Sequence, residues 1–178
     1  MNTTNPATMT RRQAIRGFAA TLGALAVLPA LPTFASDGKL DESVRLEHFN
    51  LGRRSKLALD GYDPVSYFDQ GPKKGKKDLA VRFKGVVYRF ANDANKQAFL
   101  KSPSKYEPAY GGWCAWAMLE GGKTDVDPEN YIVLNDRVYV FYKGVWGNTK
   151  RDWQKRAGRE GDDALVQIAD KAWAGIVG

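Results

Sequence analysis

Residues 110–118, Tyr-Gly-Gly-Trp-Cys-Ala-Trp-Ala-Met, form the most distinctive stretch of this chain. They hold its single cysteine and two of its five tryptophans. The glycine pair Gly111-Gly112 allows backbone dihedral angles that a Cβ atom would forbid. A segment broken by prolines, residues 102–108, leads into the stretch. We expect any chemistry of this protein to start here.

Cys114 and Met118 are candidate metal ligands. They are four residues apart, so they share a face in a strand and nearly share one in a helix. A thiolate is a strong ligand for Cu(I) or Zn(II). With Met118, and with His48 as the only histidine, it would give a sulfur-rich set suited to copper. The sequence has no second cysteine and no pair of histidines, so the strong metal spacings are absent.

Each of these residues also has an alternative role. Cys114 could be a small buried hydrophobe, a redox thiol or half of an intermolecular disulfide. Met118 could fill the core, and His48 could be an ordinary surface histidine.

The N-terminal residues 1–35 have the pattern of a twin-arginine signal peptide. Arg11-Arg12 precede an apolar run over residues 18–31, and small residues before position 36 predict cleavage after Ala35. An uncleaved anchor is the alternative, but the run is short and contains glycine and proline. We therefore expect the twin-arginine machinery to export the chain to the periplasm.

Charge and motifs exclude several classes of function. The formal net charge is +7 at pH 7. Three of the positive charges, Arg11, Arg12 and Arg16, lie in the predicted signal peptide. This balance favours solubility or acidic partners over nucleic acid. A single cysteine rules out an internal disulfide, and an oxidising compartment penalises an exposed thiol. The chain has no nucleophile elbow, HExxH, phosphate loop or zinc-finger spacing. A non-enzymatic role is therefore favoured, and a thiol redox enzyme that uses Cys114 stays an alternative.

The chain predicts an α+β fold. Residues 36–56 are interpreted as an extended lead-in with a strand over 43–48. Asp60-Gly61 predicts a turn, and Asp63 is the expected cap of a single helical turn. Further elements are a hairpin over 81–90 that turns at Lys84-Gly85, a helix over 93–101 capped by Asn92, and strands at 131–134 and 137–142 joined at Asn135-Asp136. One C-terminal helix is expected from Asn148 or Thr149 to about Ala157, where Gly158 and Gly161 break it, and a second helix is expected to start at Asp162. The expected result is a small mixed or antiparallel sheet of short strands and hairpins, with short helices and a C-terminal helical tail.

Several ordered motifs resemble those of exported YHS-domain proteins. They are residues 58–68, Ala-Leu-Asp-Gly-Tyr-Asp-Pro-Val-Ser-Tyr-Phe, the hairpin ending at Phe90, the helix ending at Pro103 and residues 105–115. The resemblance covers residues 57–174, so residues 57–178 are interpreted as a YHS-type domain with C-terminal helices. It implies metal binding, because related modules are fused to copper-transporting ATPases. Met118 stands where that family more usually has a small apolar residue.

Two hypotheses of function follow. The first is a periplasmic carrier or accessory protein for a transition metal, copper before zinc or iron, that serves a periplasmic or membrane metal-handling partner. Its ligands would be Cys114, Met118 and His48. The alternative is a metal-free module that binds a small ligand or a protein through an aromatic pocket around Cys114. That pocket would be formed by Tyr62, Asp63, Tyr110, Trp113 and Trp116, which could equally be ordinary core.

Overall fold

The computed structural model of the protein describes residues 42–69 and 71–178. The predicted signal peptide, residues 1–35, lies outside the described residues. The helices are α1 (Glu42–His48), α2 (Asp93–Lys101), α3 (Pro103–Tyr106), α4 (Ala115–Met118), α5 (Thr149–Glu160) and α6 (Asp162–Val177). The strands are β1 (Lys76–Phe83), β2 (Val86–Phe90), β3 (Asp127–Leu134), β4 (Arg137–Phe141), β5 (Lys143–Gly144) and β6 (Gly147–Asn148). Short 3-10 turns cover Leu59–Gly61, Ser66–Phe68 and Ala109–Gly112.

The α+β prediction is confirmed. The described strands form antiparallel hairpins, β1–β2, β3–β4 and β5–β6, which is the antiparallel member of the two predicted arrangements. Lys84-Gly85 and Asn135-Asp136 close the first two hairpins, and all four residues have positive φ. This conformation gives two-residue turns whose twist matches that of the flanking strands. Both turns lie where the sequence predicted them.

The predicted strand at residues 43–48 is wrong, because this segment forms the helix α1. Alternating apolar residues suggested a strand, yet Leu46 and Phe49 also have the three-residue spacing of one helix face. Both pack against the buried cluster around Phe99, and the Phe49 amide donates to the Leu46 carbonyl at 3.2 Å. An extended segment follows, and Leu51 pairs with Ala58 in an isolated bridge. Among the described residues, the extended lead-in is therefore confined to the stretch after α1, and its residues 36–41 lie outside the described residues.

The hairpin β3–β4 separates two buried clusters. Successive side chains of a strand point to opposite faces. Tyr139 and Phe141 of β4 pack on one side with Trp153, while Val138 and Val140 pack on the other with Tyr67. A third cluster gathers the β1–β2 hairpin around Phe99. The central stretch, residues 110–118, belongs to the first cluster and so lies between β4 and the C-terminal helices.

The C-terminal helices follow the prediction except at one glycine. The Asn148 side chain caps α5 by accepting a hydrogen bond from the Lys150 amide at 3.1 Å. Gly158 was predicted to end this helix, but α5 continues to Glu160 and stops at Gly161, whose φ is +85°. Across residues 42–69 and 71–178, no helix has both the length and the apolar character needed to cross a membrane.

Candidate functional site

The stretch 110–118 begins with a left-handed turn at residues 110–112, which we call the central turn. Tyr110, Gly111 and Gly112 have φ values of +55°, +59° and +83° in succession. Tyrosine rarely adopts this conformation, because its Cβ then crowds the backbone. Strained conformations of this kind are held in place by their surroundings and often occur at functional sites.

A short arm, residues 48–52, lies against this turn. The Asn50 amide donates to the Gly111 carbonyl at 2.9 Å, and the Asn50 side chain donates to the Gly112 carbonyl at 3.1 Å. The Trp113 indole N–H donates to the His48 carbonyl at 2.9 Å. A Cβ atom at Gly111 would overlap that same carbonyl oxygen. The glycine at 111 is therefore required by close contact between two backbones as well as by its φ.

Cys114 is fully buried and hydrogen-bonded. Its Sγ accepts from the Tyr142 amide at 3.4 Å and lies 3.3 Å from the Thr149 hydroxyl oxygen. The Thr149 hydroxyl donates to the Tyr142 carbonyl at 3.2 Å. Because a carbonyl can only accept, this arrangement leaves the thiol to donate to the Thr149 oxygen. Through these contacts Cys114 joins α4, the end of β4 and the start of α5.

Substitution of Cys114 tests this structural role. We expect Cys114→Ser to lower the free energy of unfolding by about 1 kcal/mol, because a hydroxyl can make the same hydrogen bonds. Cys114→Ala should cost about 2 kcal/mol, because the Tyr142 amide loses its partner and a small cavity remains. The native thiol should react with an alkylating agent only as fast as the protein unfolds. Denaturant unfolding and alkylation rates measure both effects.

A metal-ligand role for Cys114 gives a different pattern. Copper bound by the wild-type protein would be lost from both variants, and the native thiolate would be alkylated quickly in the metal-free protein. Equal stability of the two variants would contradict the structural role.

The three predicted metal ligands are not shown to form a site. Met118 is buried in the core cluster that contains Trp153. His48 contributes its carbonyl to the arm, its ring packs edge-on to Trp173 at 6.2 Å, and its buried Nδ1 has no hydrogen-bond partner among the described residues. In that part of the chain, no three His, Cys, Asp or Glu side chains form a group that could hold a metal ion. The predicted set of Cys114, Met118 and His48 includes a methionine, which is not one of those four residue types, so the transition-metal site stays a prediction.

The five residues of the predicted aromatic pocket divide between two parts of the structure. Tyr110, Trp113 and Trp116 pack in one core cluster. Tyr62 packs instead beside Leu59, and its hydroxyl donates to Glu129 at 2.5 Å. That hydrogen bond is the largest cause of a Tyr62 pKa raised to about 12.

Asp63, the fifth predicted pocket residue, serves the backbone instead. It is fully buried, and its carboxylate accepts from the Val65 amide at 2.9 Å, the Ala91 amide at 2.8 Å and the Asn95 side chain at 2.6 Å. These bonds tie the 3-10 turn at Ser66–Phe68 to the junction of β2 and α2. Asp63 accepts the Val65 backbone amide as a cap would, and it also binds a second segment of the chain. It is not the N-cap of the helical turn as predicted, because the 3-10 turn begins at Ser66 and its N-cap residue is Val65.

The hydroxyls of Tyr110 and Tyr139 are buried near an ion pair. Neither hydroxyl has a hydrogen-bond partner among the residues that the structure describes. Their rings are 5.8 Å apart, and the Arg137 guanidinium lies 5.6 and 5.2 Å from the two ring centroids. Arg137 also donates to both carboxylate oxygens of Asp170 at 3.1 Å. Burial first, and then the charge of Asp170, raise the pKa of Tyr110 far above its ordinary value. Both phenols are therefore neutral donors and not bases at physiological pH.

An open cleft of about 300 Å³ lies where the arm meets two left-handed turns. One of them is the central turn, whose Gly112 lines the cleft. The other is Leu59–Gly61, where φ is +51°, +49° and +81° in succession. The cleft is lined by Asn50, Gly52, Arg53, Arg54, Leu59, Asp60, Gly112, Asp125, Val126 and Pro128.

The charged side chains that line the cleft have partners of opposite charge, except for one arginine. Asp125 pairs with Arg53, with an N–O distance of 2.8 Å. Asp60 accepts from the Ser55 hydroxyl at 2.8 Å and lies 3.6 Å from the Lys74 ammonium. Arg54 is exposed and makes no hydrogen bond or ion pair with any residue that the structure describes. One positive charge on the cleft is thus left without a counter-charge.

None of the five predicted pocket residues lines this cleft. Two features of the sequence could have indicated this cleft. Arg53-Arg54 stand together beside Gly52, and the Asp60-Gly61 turn repeats the glycine-containing left-handed geometry of the central stretch. The position of the arm, which joins these segments to Gly112, has no local sequence signal.

Comparisons with known proteins found no matching family model, no match among curated proteins and no match among solved structures. The resemblance to exported YHS-domain proteins therefore stays a prediction.

Proposed function

We propose that this protein is a periplasmic, non-enzymatic binding module that takes a small anionic ligand in the cleft beside Gly112. The observation that carries the proposal is the unmatched guanidinium of Arg54 on the cleft. An arginine presents planar, fixed donors that suit a carboxylate or a phosphate. A ligand of that class would supply the missing counter-charge.

The charges of the cleft favour an anion over a cation. Asp60 and Asp125 are the acidic side chains of its lining, and both already have cationic partners. A cation would have to compete with Arg53 and Lys74 for them. An anion at Arg54 breaks no existing pair.

The cleft also provides apolar contacts and a rigid frame. Leu59, Val126 and Pro128 give it an apolar side. Its volume is at the lower end of the range for ligand pockets, so the ligand is small. The two left-handed turns that border it are strained backbone that the surrounding contacts hold in one conformation. Such pre-ordering lowers the entropic cost of binding.

Thermal unfolding of the full chain with a panel of small anions tests the proposal. The panel is acetate, malate, citrate, phosphate and sulfate, each compared with chloride at matched ionic strength. A ligand at ten times its Kd should raise the Tm by about 4 °C. Arg54→Ala should remove the shift and weaken binding at least tenfold by calorimetry.

Arg82→Ala is the matched control, because Arg82 is an exposed arginine of β1 that does not line the cleft. It should leave the Tm shift unchanged. The proposal fails when no anion stabilises the protein beyond chloride, or when the two arginine variants respond alike.

A further inference from the structure

The tip of the β5–β6 hairpin presents two large apolar side chains to solvent. Val145 is 92% exposed and Trp146 is 88% exposed. The other tryptophans behave differently, since Trp153 is buried and Trp113, Trp116 and Trp173 pack against the same core cluster. No contact within the described residues accounts for an indole in this position. The two side chains are adjacent in sequence, so they form one small apolar patch, and exposed apolar patches are a feature of interaction surfaces.

The tip is continuous with a basic surface. Lys143, at the base of the hairpin, has a side chain that is 60% exposed and lies 3.9 Å from Asp127. The hairpin leads directly into α5, where Arg151, Lys155 and Arg159 follow one another at four-residue spacing. Residues at this spacing share one helix face, and all three are exposed. We call these three residues the basic stripe.

Acidic residues do not neutralise the basic stripe. Glu160 pairs with Arg156 at 3.0 Å, on the neighbouring face of the helix. Asp152 is exposed beside Arg151 but does not form an ion pair with it. Arg151 and Lys155 make no ion pair with any described residue. The surface beside the apolar tip is therefore positively charged.

We propose that the Val145–Trp146 tip and the basic stripe together dock the protein on an anionic lipid surface. Tryptophan is favoured at the headgroup level of a bilayer, where its ring is buried without needing a shaped pocket. Basic residues near an anionic leaflet each strengthen binding about fivefold. The tip would enter the interface while the basic stripe contacts the headgroups.

The small area of the tip favours a lipid surface over a second copy of the chain. A stable protein interface buries about 800 Å² on each partner. One tryptophan buries about 250 Å² at most, and one valine adds less. A lipid interface has no such threshold, because weak and reversible attachment needs only a few apolar side chains with flanking charges.

Tryptophan fluorescence of the full chain tests this docking. The probes are vesicles of phosphatidylcholine alone and vesicles containing about one-third phosphatidylglycerol. All tryptophans lie at position 113 or beyond, so the predicted signal peptide contributes no signal of its own. Anionic vesicles should shift the emission to the blue and bind at least about tenfold more tightly than neutral ones, and added salt should weaken the binding.

Three variants separate the possible sources of binding. Trp146→Ala should abolish the blue shift and weaken co-sedimentation with vesicles about tenfold. The double variant Arg151→Ala/Lys155→Ala should weaken it about twentyfold or more. Lys76→Ala/Lys77→Ala removes the same charge from exposed positions of β1 and should have a much smaller effect.

Several outcomes overturn the proposal. Absence of binding to anionic vesicles is one, and binding that none of the variants alters, as expected if the predicted signal peptide alone attaches, is another. Equal loss in both double variants would show a response to net charge and not to the basic stripe. Self-association in sedimentation without lipid that disappears in Trp146→Ala would assign the tip to a contact between copies of the chain.

Discussion

Replacement of Gly111 by alanine is expected to lower the free energy of unfolding by about 3 kcal/mol or more. Two effects add at this position. The φ of +59° costs any residue with a Cβ about 1 kcal/mol. The new Cβ would also overlap the His48 carbonyl oxygen, so the arm would have to move away from the central turn. Denaturant unfolding followed by circular dichroism measures the change.

Gly112→Ala is the matched control for this prediction. Gly112 has an even larger φ of +83°, but its Cβ would meet nothing closer than the Pro108 ring at 3.5 Å. Only the backbone cost should appear there, about 1 to 2 kcal/mol. Equal losses at the two glycines would show that close contact with His48 is not what requires glycine at position 111.

Asp63→Ala is expected to destabilise the protein by about 4 kcal/mol, roughly twice the loss expected for Cys114→Ala. The buried carboxylate accepts three hydrogen bonds, from the Val65 and Ala91 amides and from Asn95. Each hydrogen bond to a charged group contributes about 1.5–3 kcal/mol, and their donors would be left without partners. Thermal and denaturant unfolding both report the loss.

Asn95→Ala removes one of those three donors and leaves the carboxylate in place. It should cost about 1 to 2 kcal/mol, at most half the effect at Asp63. If the two variants were equally stable, the bonds from Val65 and Ala91 would contribute nothing, and the carboxylate would not be the link between the two segments.

Local signals in the sequence predicted much of the fold. The two-residue turn Asn135-Asp136, the Asn92 cap of α2 and the Asn148 cap of α5 are all decided by residues within a few positions. The failures came where local patterns were ambiguous. Val44 and Leu46 alternate as in a strand, whereas Leu46 and Phe49 have the spacing of a helix face. Packing of Leu46 and Phe49 against the cluster around Phe99 favours the helix.

The candidate site was much less predictable, because its contacts join distant parts of the chain. The Asn50 side chain meets Gly112, 62 residues away, and the Cys114 sulfur meets Thr149, 35 residues away. The sequence identified residues 110–118 as central, and the turn there is indeed strained. It gave no sign that His48 would contribute its carbonyl oxygen, or that Arg54 would face a cleft.

The arm that lies against the central turn forms one wall of the cleft. Asn50 and Gly52 belong both to the arm and to the cleft lining, so the cleft exists only while the arm is docked. Local opening of the arm and release of a ligand are then one equilibrium. On the function proposed above, a bound anion would contribute its whole binding free energy to keeping the arm closed. Binding of the anion would then slow hydrogen exchange at the amide of Asn50, which donates to the Gly111 carbonyl.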